Sequence, residues 1–236
     1  MRINLIFLVV FLLIAKISIC QQASYFDAAQ AYNRLLIEKD NGTYIRVSNY
    51  KVIGSPYLFG EKHKGSMFAP TEIANNIFLS YNTFNQELEF YTVANPDRSL
   101  IKAPGLVDSF KFQRNIGQGV AQELLFIYGP IIGANDKTYY QMVSQGNHFN
   151  LYKKYTGELG IVSTNYVQSE LRQFNLNYEY YYTDAATKAI RKFKVSRNAI
   201  IKEFKSVKNL SAEFDQESLN VDPENTLKGI FEFLNK

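Results

Sequence analysis

The stretch FLSYNTFNQELEFY, Phe78 to Tyr91, decides the fold. Two runs of bulky residues flank a polar return, TFNQ, at residues 83–86. Side chains two apart along a strand point to the same face, and the apolar positions follow that period: Ile77, Leu79, Tyr81, Leu88 and Phe90. The pattern predicts an antiparallel hairpin with this set on an inner face, a return of about four residues and an outer face in water.

Several other segments show strand-like composition or alternation: 43–53, 64–69, 105–113, 122–128, 137–155 and 178–195. Segment 137–155 turns back at Gln145-Gly146-Asn147, where we expect Gly146 to supply a positive φ. Segment 178–195 turns back at residues 184–187. Residues 156–175 show no sustained period and are interpreted as a connection. We expect about eight to ten strands in all.

Helical patterns lie at both ends of this strand-rich region. Residues Tyr25 to Lys39 carry apolar side chains at helical spacing, and Asp40-Asn41-Gly42 then ends the segment. Near the C-terminus, Ser196 is placed to cap a helix. Asp222 followed by Pro223 begins a clearer one, with a single apolar stripe: Leu227, Ile230, Phe231 and Leu234.

These elements predict an α+β protein, mainly antiparallel β, built as a curved sheet, sandwich or partial barrel with an N-terminal helix and a C-terminal helical tail. The expected division is a signal peptide at residues 1–20, a β-rich domain with the N-terminal helix at residues 21–195, and a helical tail at residues 196–236 packed on that domain. One domain is preferred over two.

The first twenty residues have the order of a secretory signal: the cation Arg2, an apolar run from Leu5 to Ala15, then short residues near Cys20. Cys20 has two interpretations. Either the signal is cleaved after it, or it becomes the lipidated first residue of a lipoprotein, for which Ile19 is a poor preceding residue. We expect export to the periplasm or the extracellular space, with membrane association through the outer membrane if Cys20 is lipidated.

Composition limits the function classes. The chain has 46% hydrophobic and 15% aromatic residues, which is typical of a globular protein. Its net charge of +4 is too small to indicate nucleic-acid binding. Cys20 is the only cysteine, so no disulfide within the chain or cysteine nucleophile is expected. His63 and His148 form no metal-binding motif, and we expect neither metal nor cofactor.

No catalytic signature emerges from the sequence. The G-x-S-x-G elbow of the α/β-hydrolases is absent. Glu87 and Glu89 lie two apart on one predicted strand, as a glycosidase pair could. Solvated strand surfaces carry such pairs routinely, and this second interpretation is preferred. We therefore expect a protein that is not an enzyme, with a hydrolase of unrecognised catalytic residues kept as an alternative.

One basic segment is a candidate anion-binding patch. Between residues 188 and 208 the only acid is Glu203, and the first basic residues are Lys188, Arg191, Lys192, Lys194 and Arg197. Tyrosines at 178 and 180–182 lie just upstream. Basic charge beside tyrosines could bind an anionic head group or glycan. The alternative, which we prefer, is a solvated face neutralised by the acids at 213–224.

Three motifs in order resemble those of a group of exported, signal-peptide-bearing proteins of Bacteroidota: GSPYL at residues 54–58, LSYNTFNQELEF at 79–90, and a hairpin at 139–155 that ends in KKY. The motifs together cover most of the chain after residue 20. Phe59-Gly60-Glu61 and the segment 71–76 depart from the group pattern. The resemblance implies export and a bacterial envelope setting, and it implies no activity, cofactor or site residue.

Non-enzymatic binding of a lipid, a glycan or a partner envelope protein is therefore the leading expectation. A structural or assembly module without a small-molecule site is the second, and a hydrolase is the third. A deep apolar cleft beside the sheet would favour binding. A filled core with an exposed hydrophobic patch would favour assembly.

Overall fold

The structure is a computed structural model that describes residues 36–38, 44–46, 51–103, 105–117, 119–162, 171–187 and 189–236. The chain divides into two compact units, residues 1–54 with 161–173 and residues 55–160 with 174–236. The predicted signal segment with Cys20, and residues 25–35 of the predicted N-terminal helix, lie outside the described residues.

Thirteen strands lie in the described part of the chain, which exceeds the expected eight to ten. They are β1 Leu36–Glu38, β2 Tyr44–Arg46, β3 Lys51–Ile53, β4 His63–Phe68, β5 Ile73–Asn82, β6 Glu87–Thr92, β7 Asn95–Lys102, β8 Ser109–Asn115, β9 Ala121–Tyr128, β10 Tyr139–Ser144, β11 Phe149–Ile161, β12 Leu171–Asp184 and β13 Ile190–Lys192. A 3-10 turn, Gly129–Ile132, follows β9. The connection predicted at 156–175 is wrong over much of its length, because β11 extends to Ile161 and β12 begins at Leu171.

In the smaller unit, β1 and β2 form a two-stranded antiparallel sheet in which Leu36 pairs with Arg46. The predicted helix is therefore wrong at residues 36–38, which are extended. Ile37 pairs with Ile45, so the backbone pairing of these two strands outweighs the helical spacing of the sequence there. β3 pairs in parallel with residues 171–173 at the start of β12.

The main sheet is open. Ten strands follow the order β13-β12-β11-β10-β9-β8-β4-β5-β6-β7, and β3 makes it a mixed sheet of eleven. Neighbours on this path with a described register are antiparallel. β4 lies between β5 and β8, so the chain does not fill the sheet in sequence order. The mainly antiparallel β prediction is confirmed at this level.

The hairpin predicted at Phe78–Tyr91 is confirmed as β5 and β6, with Tyr81 opposite Leu88. Its inner face packs into a hydrophobic cluster in which Phe110, Phe112 and Phe126 stack on one another. Aromatic pairs of this kind add to the stabilisation that burial alone provides.

Much of the outer face of this hairpin is buried, although the alternation predicted that this face would lie in water. Ser80 and Glu89 are fully buried. The segment before β4 covers them: the Leu58 N–H donates to the Tyr81 carbonyl, and the Tyr57 hydroxyl donates to Glu89 Oε1 at 2.9 Å. The interpretation of Glu89 as a solvated surface acid is therefore wrong.

Three helices follow β13: α1 Arg197–Glu203, α2 Gln216–Val221 and α3 Pro223–Leu234. The apolar stripe of α3 is buried against strand residues such as Leu151 and Tyr182. Asp222 caps α3 as expected, accepting from the Asn225 N–H at 3.2 Å. Ser196 occupies the cap position of α1, but its side chain makes no capping bond.

Gly146 does not have the positive φ that we expected. It is needed for space, because a Cβ there would lie 2.1 Å from the Asn235 amide nitrogen. Asn235 follows α3, and its Oδ1 accepts from the N–H groups of His148 and Phe149 at 2.8 and 2.9 Å. The glycine thus permits Asn235 to attach the end of α3 to the β10–β11 turn.

Candidate functional site

An apolar cavity of about 670 Å³ lies among β4, β5, β6, β7 and the segment before β8. Five of its wall residues belong to the hydrophobic cluster or pack against it: Met67, Ala74, Ile77, Phe90 and Val107. Two further wall residues, Phe78 and Val93, are exposed. Small-molecule sites are commonly about 300–1,000 Å³ with mostly apolar walls. This recess, which we call the apolar cavity, has both properties.

Local irregularities of the strands shape this cavity. The register between β4 and β5 shifts between Gly65 and Met67, which is a β-bulge. Asn76, in the bulged stretch, has φ +56°, a left-handed value that Asn tolerates better than most residues. Pro96 lies in β7, at the edge of the sheet, where a missing N–H donor is tolerated. Bulges of this kind often lie beside functional sites.

Two lysines and one glutamate, Lys62, Lys102 and Glu72, supply the charge of the cavity wall. Lys62 Nζ lies 5.0 Å from the centre of the Tyr91 ring and 3.5 Å from Asp97 Oδ1. The Asp97 side chain is 95% exposed, so this ion pair is weak and can be exchanged at little cost. Lys102 lies directly opposite the buried Leu88. The apolar walls are thus accompanied by two ammonium groups.

A second recess of about 550 Å³, the basic pocket, shares Lys62 and Phe78 with the apolar cavity. Its remaining charged or titratable wall residues are His63, Lys64 and Arg114. The Arg114 guanidinium lies 3.9 Å from the centre of the Phe59 ring. None of the described residues that line this pocket is an aspartate or glutamate.

The basic segment predicted as an anion patch is spread over several structural roles. Lys192 forms an ion pair with Glu179. Arg197 donates to the main-chain carbonyls of Phe214 and Ser211. Arg191 and Lys194 are exposed, and Lys188 lies outside the described residues. The structure therefore places Lys192 and Arg197 in local contacts, while Arg191, Lys192 and Lys194 all lie at the surface.

Other titratable groups, buried or half-buried, line neither recess. Burial acts to raise the pKa of Asp136, but hydrogen bonds from Lys154 and Tyr140 outweigh it and hold the pKa below its usual range. The Tyr180 hydroxyl is buried without a hydrogen-bond partner among the described residues, and burial raises its pKa. Lys153 Nζ lies 4.2 Å from the centre of the Tyr178 ring and 3.0 Å from Glu224 Oε2. Because Glu224 belongs to α3, this ion pair attaches α3 to the sheet.

The two histidines are separate from one another. His63 stacks on Phe112 at 4.6 Å, and its Nε2 lies 3.2 Å from the Leu58 carbonyl oxygen. His148 is exposed in the β10–β11 turn. Among the described ranges, no group of three or more His, Cys, Asp or Glu is arranged to hold a metal ion. No helix in the same ranges has the length and hydropathy of a membrane span.

No protein-family model, curated protein or solved structure matches the chain. The two recesses are therefore the features of this protein from which a function is inferred.

The sequence did not indicate either recess. Their wall residues come from strands that are distant along the chain, and β4 connects them by pairing with both β5 and β8. The one available signal was the apolar run around Ile77 and Phe90, which we interpreted only as an inner face. At one end that face packs on the core, and at the other it lines the cavity.

Proposed function

We propose that this protein is exported to the bacterial envelope, where it binds the acyl chain of a lipid in the apolar cavity and catalyses no reaction on it. The signal-like order of residues 1–20 supports export. The observation that carries the binding proposal is a cavity of about 670 Å³ whose walls are continuous with the hydrophobic cluster.

The character of the walls favours a lipid over the other expected ligands. A glycan presents many hydroxyl groups, each of which loses free energy on burial unless it finds a hydrogen-bond partner. The walls offer mainly aliphatic and aromatic carbon, from residues such as Met67, Ile77 and Phe90. A flexible acyl chain needs no partner there and gains about 0.8 kcal/mol for each buried methylene.

The test is a chain-length series of neutral 1-monoacylglycerols, titrated against the purified protein by isothermal calorimetry. Because each buried methylene contributes about 0.8 kcal/mol, the dissociation constant should fall about fourfold per added methylene until the cavity is filled. Affinity that does not depend on chain length would contradict the proposal.

A substitution that fills the apolar cavity provides a second test of lipid binding. Ala74→Phe places a ring in the cavity and should weaken binding of the longest glyceride at least tenfold, because it removes most of the methylene burial. Ala185→Phe, in the exposed turn after β12, is the matched control and should leave binding unchanged. If Ala74→Phe does not fold, Ala69→Leu, a smaller change in another wall residue, takes its place.

A further inference from the structure

We propose that the basic pocket binds the phosphate ester of the lipid whose acyl chain occupies the apolar cavity. This inference rests on the proposed function, since it gives the head group of the same ligand. It differs from the sequence-based hypothesis, which placed anion binding at residues 188–197.

The first support is position. Lys62 and Phe78 line both recesses, so the recesses are neighbours that share a wall. One ligand with a chain and a short head group can therefore reach both. Lys62 lies at this boundary, with its ammonium 5.0 Å from the centre of the Tyr91 ring, and Tyr91 belongs to the wall of the apolar cavity.

The second support is charge. Lys62, Lys64 and Arg114 contribute three cations to the pocket, and no acid lies among its described wall residues. In the described part of the chain, neither Lys64 nor Arg114 has a carboxylate within ion-pair distance. An anion that enters a pocket lined by cations and by no described acid is attracted by each of them.

The third support is the kind of donor. Arg114 Cζ lies 3.9 Å from the centre of the Phe59 ring, and a guanidinium presents its N–H donors in its own plane, a geometry that suits the oxygens of phosphate or carboxylate. Gln113 and Asn115 also line the pocket. Three cations on the wall match the charge and the several oxygens of a phosphate ester better than the two oxygens of a carboxylate.

The experiment compares two amphiphiles with the same chain, 1-dodecanoyl glycerol and its 3-phosphate, a lysophosphatidic acid. A few charge-assisted hydrogen bonds should make the phosphate ester bind about 10- to 100-fold more tightly. This advantage should shrink as NaCl is raised, because salt screens partly exposed charges. Equal affinity for the two compounds would overturn the inference while leaving the proposed function intact.

Substitutions test whether the basic pocket is the part of the protein that causes tighter binding of the phosphate ester. Lys64→Gln with Arg114→Gln should remove most of the advantage of the phosphate ester and leave the affinity for the neutral glyceride unchanged. Lys111→Gln is the matched control, because Lys111 lies in the same strand as Arg114, pairs with Glu123 and lines neither recess. A phosphate advantage that survives in the double variant would refute the assignment to this pocket.

Inorganic phosphate distinguishes the lipid from a free anion. Competition by millimolar phosphate against the phosphate ester, with no effect on the neutral glyceride, would support one ligand that spans both recesses. Binding of inorganic phosphate to a protein that binds neither amphiphile would overturn the inference. Failure of the neutral glyceride alone would instead contradict the proposed acyl-chain function.

Discussion

Replacement of Gly146 by alanine tests how the C-terminus is attached to the sheet. The added Cβ would lie 2.1 Å from Asn235 Nδ2, so the Asn235 amide must leave its position. That amide makes four hydrogen bonds to main-chain groups: it accepts from the N–H groups of His148 and Phe149, and it donates to the carbonyls of Phe149 and Phe231. At about 0.5–1.5 kcal/mol for each bond, and with water replacing the more exposed ones, we expect a loss of about 2 kcal/mol.

The assay is equilibrium urea denaturation of a double-mutant cycle. Asn235→Ala should cost about as much as Gly146→Ala, because both remove the same contacts. In the Asn235→Ala background, Gly146→Ala should be neutral or slightly stabilising, since Gly146 has no positive φ to strain an alanine. Gly229→Ala, within α3 and in open space, is the control and should stabilise by up to about 1 kcal/mol. A full loss from Gly146→Ala in both backgrounds would refute this account.

Three further substitutions concern polar groups that the fold takes partly or fully out of water. Burial acts to raise the pKa of Asp136, but hydrogen bonds from Lys154 and Tyr140 outweigh it and lower that pKa. The ionised Asp136 side chain therefore stabilises the fold above the ordinary aspartate pKa, and this stabilisation is lost as the pH falls below about 4. Asp136→Asn should therefore lower the urea midpoint at pH 7 and have little effect at pH 2.5; an equal effect at both would contradict this. Tyr180→Phe should stabilise by about 1 kcal/mol, because it removes a buried hydroxyl that has no partner among the described residues. Tyr182→Phe should destabilise by about 1 kcal/mol, because that hydroxyl donates to Glu203 Oε1 at 2.6 Å, and thermal denaturation of both variants should show the opposite signs.

Local patterns in the sequence were sufficient to predict the hairpins and the last helix. Alternation placed Tyr81 and Leu88 on one face of the hairpin, where the structure pairs them, and Asp222 before Pro223 marked the start of α3. In each case the information lies within about a dozen residues, where strand period and capping chemistry act. The edge strand β7 was missed because it begins Asn-Pro-Asp, residues that disfavour strands except at an edge.

The remaining errors have a non-local cause. Glu89 was expected in water, but the Tyr57 side chain covers it from a segment 32 residues earlier. Gly146 was explained by local backbone conformation, although its reason is Asn235, far along the chain. Gly157 weakened the strand pattern of β11, yet it is needed because a Cβ there would lie 2.7 Å from Thr83 Oγ1. No periodicity within one segment reports such contacts.

The same limit applied to the site. The wall residues of the basic pocket come from β4, the segment before it and β8, and the pairing of β4 with β8 brings these segments together. The sequence-based hypothesis relied on the densest basic run, around Lys192 and Arg197, and it stays a prediction. In the structure Lys192 pairs with Glu179, and Arg197 donates to main-chain carbonyls.

Native mass spectrometry of the protein, extracted in a gentle detergent from the cells that produce it, tests lipid binding most directly. We expect a 1:1 complex with a lipid, whose mass after gentle activation identifies an acyl chain and a phosphate-bearing head group. The same spectrum reads the mass of the N-terminus and so distinguishes cleavage after Cys20 from its acylation. A protein that carries no lipid, or that elutes only with a partner protein while the apolar cavity stays empty, would contradict the account.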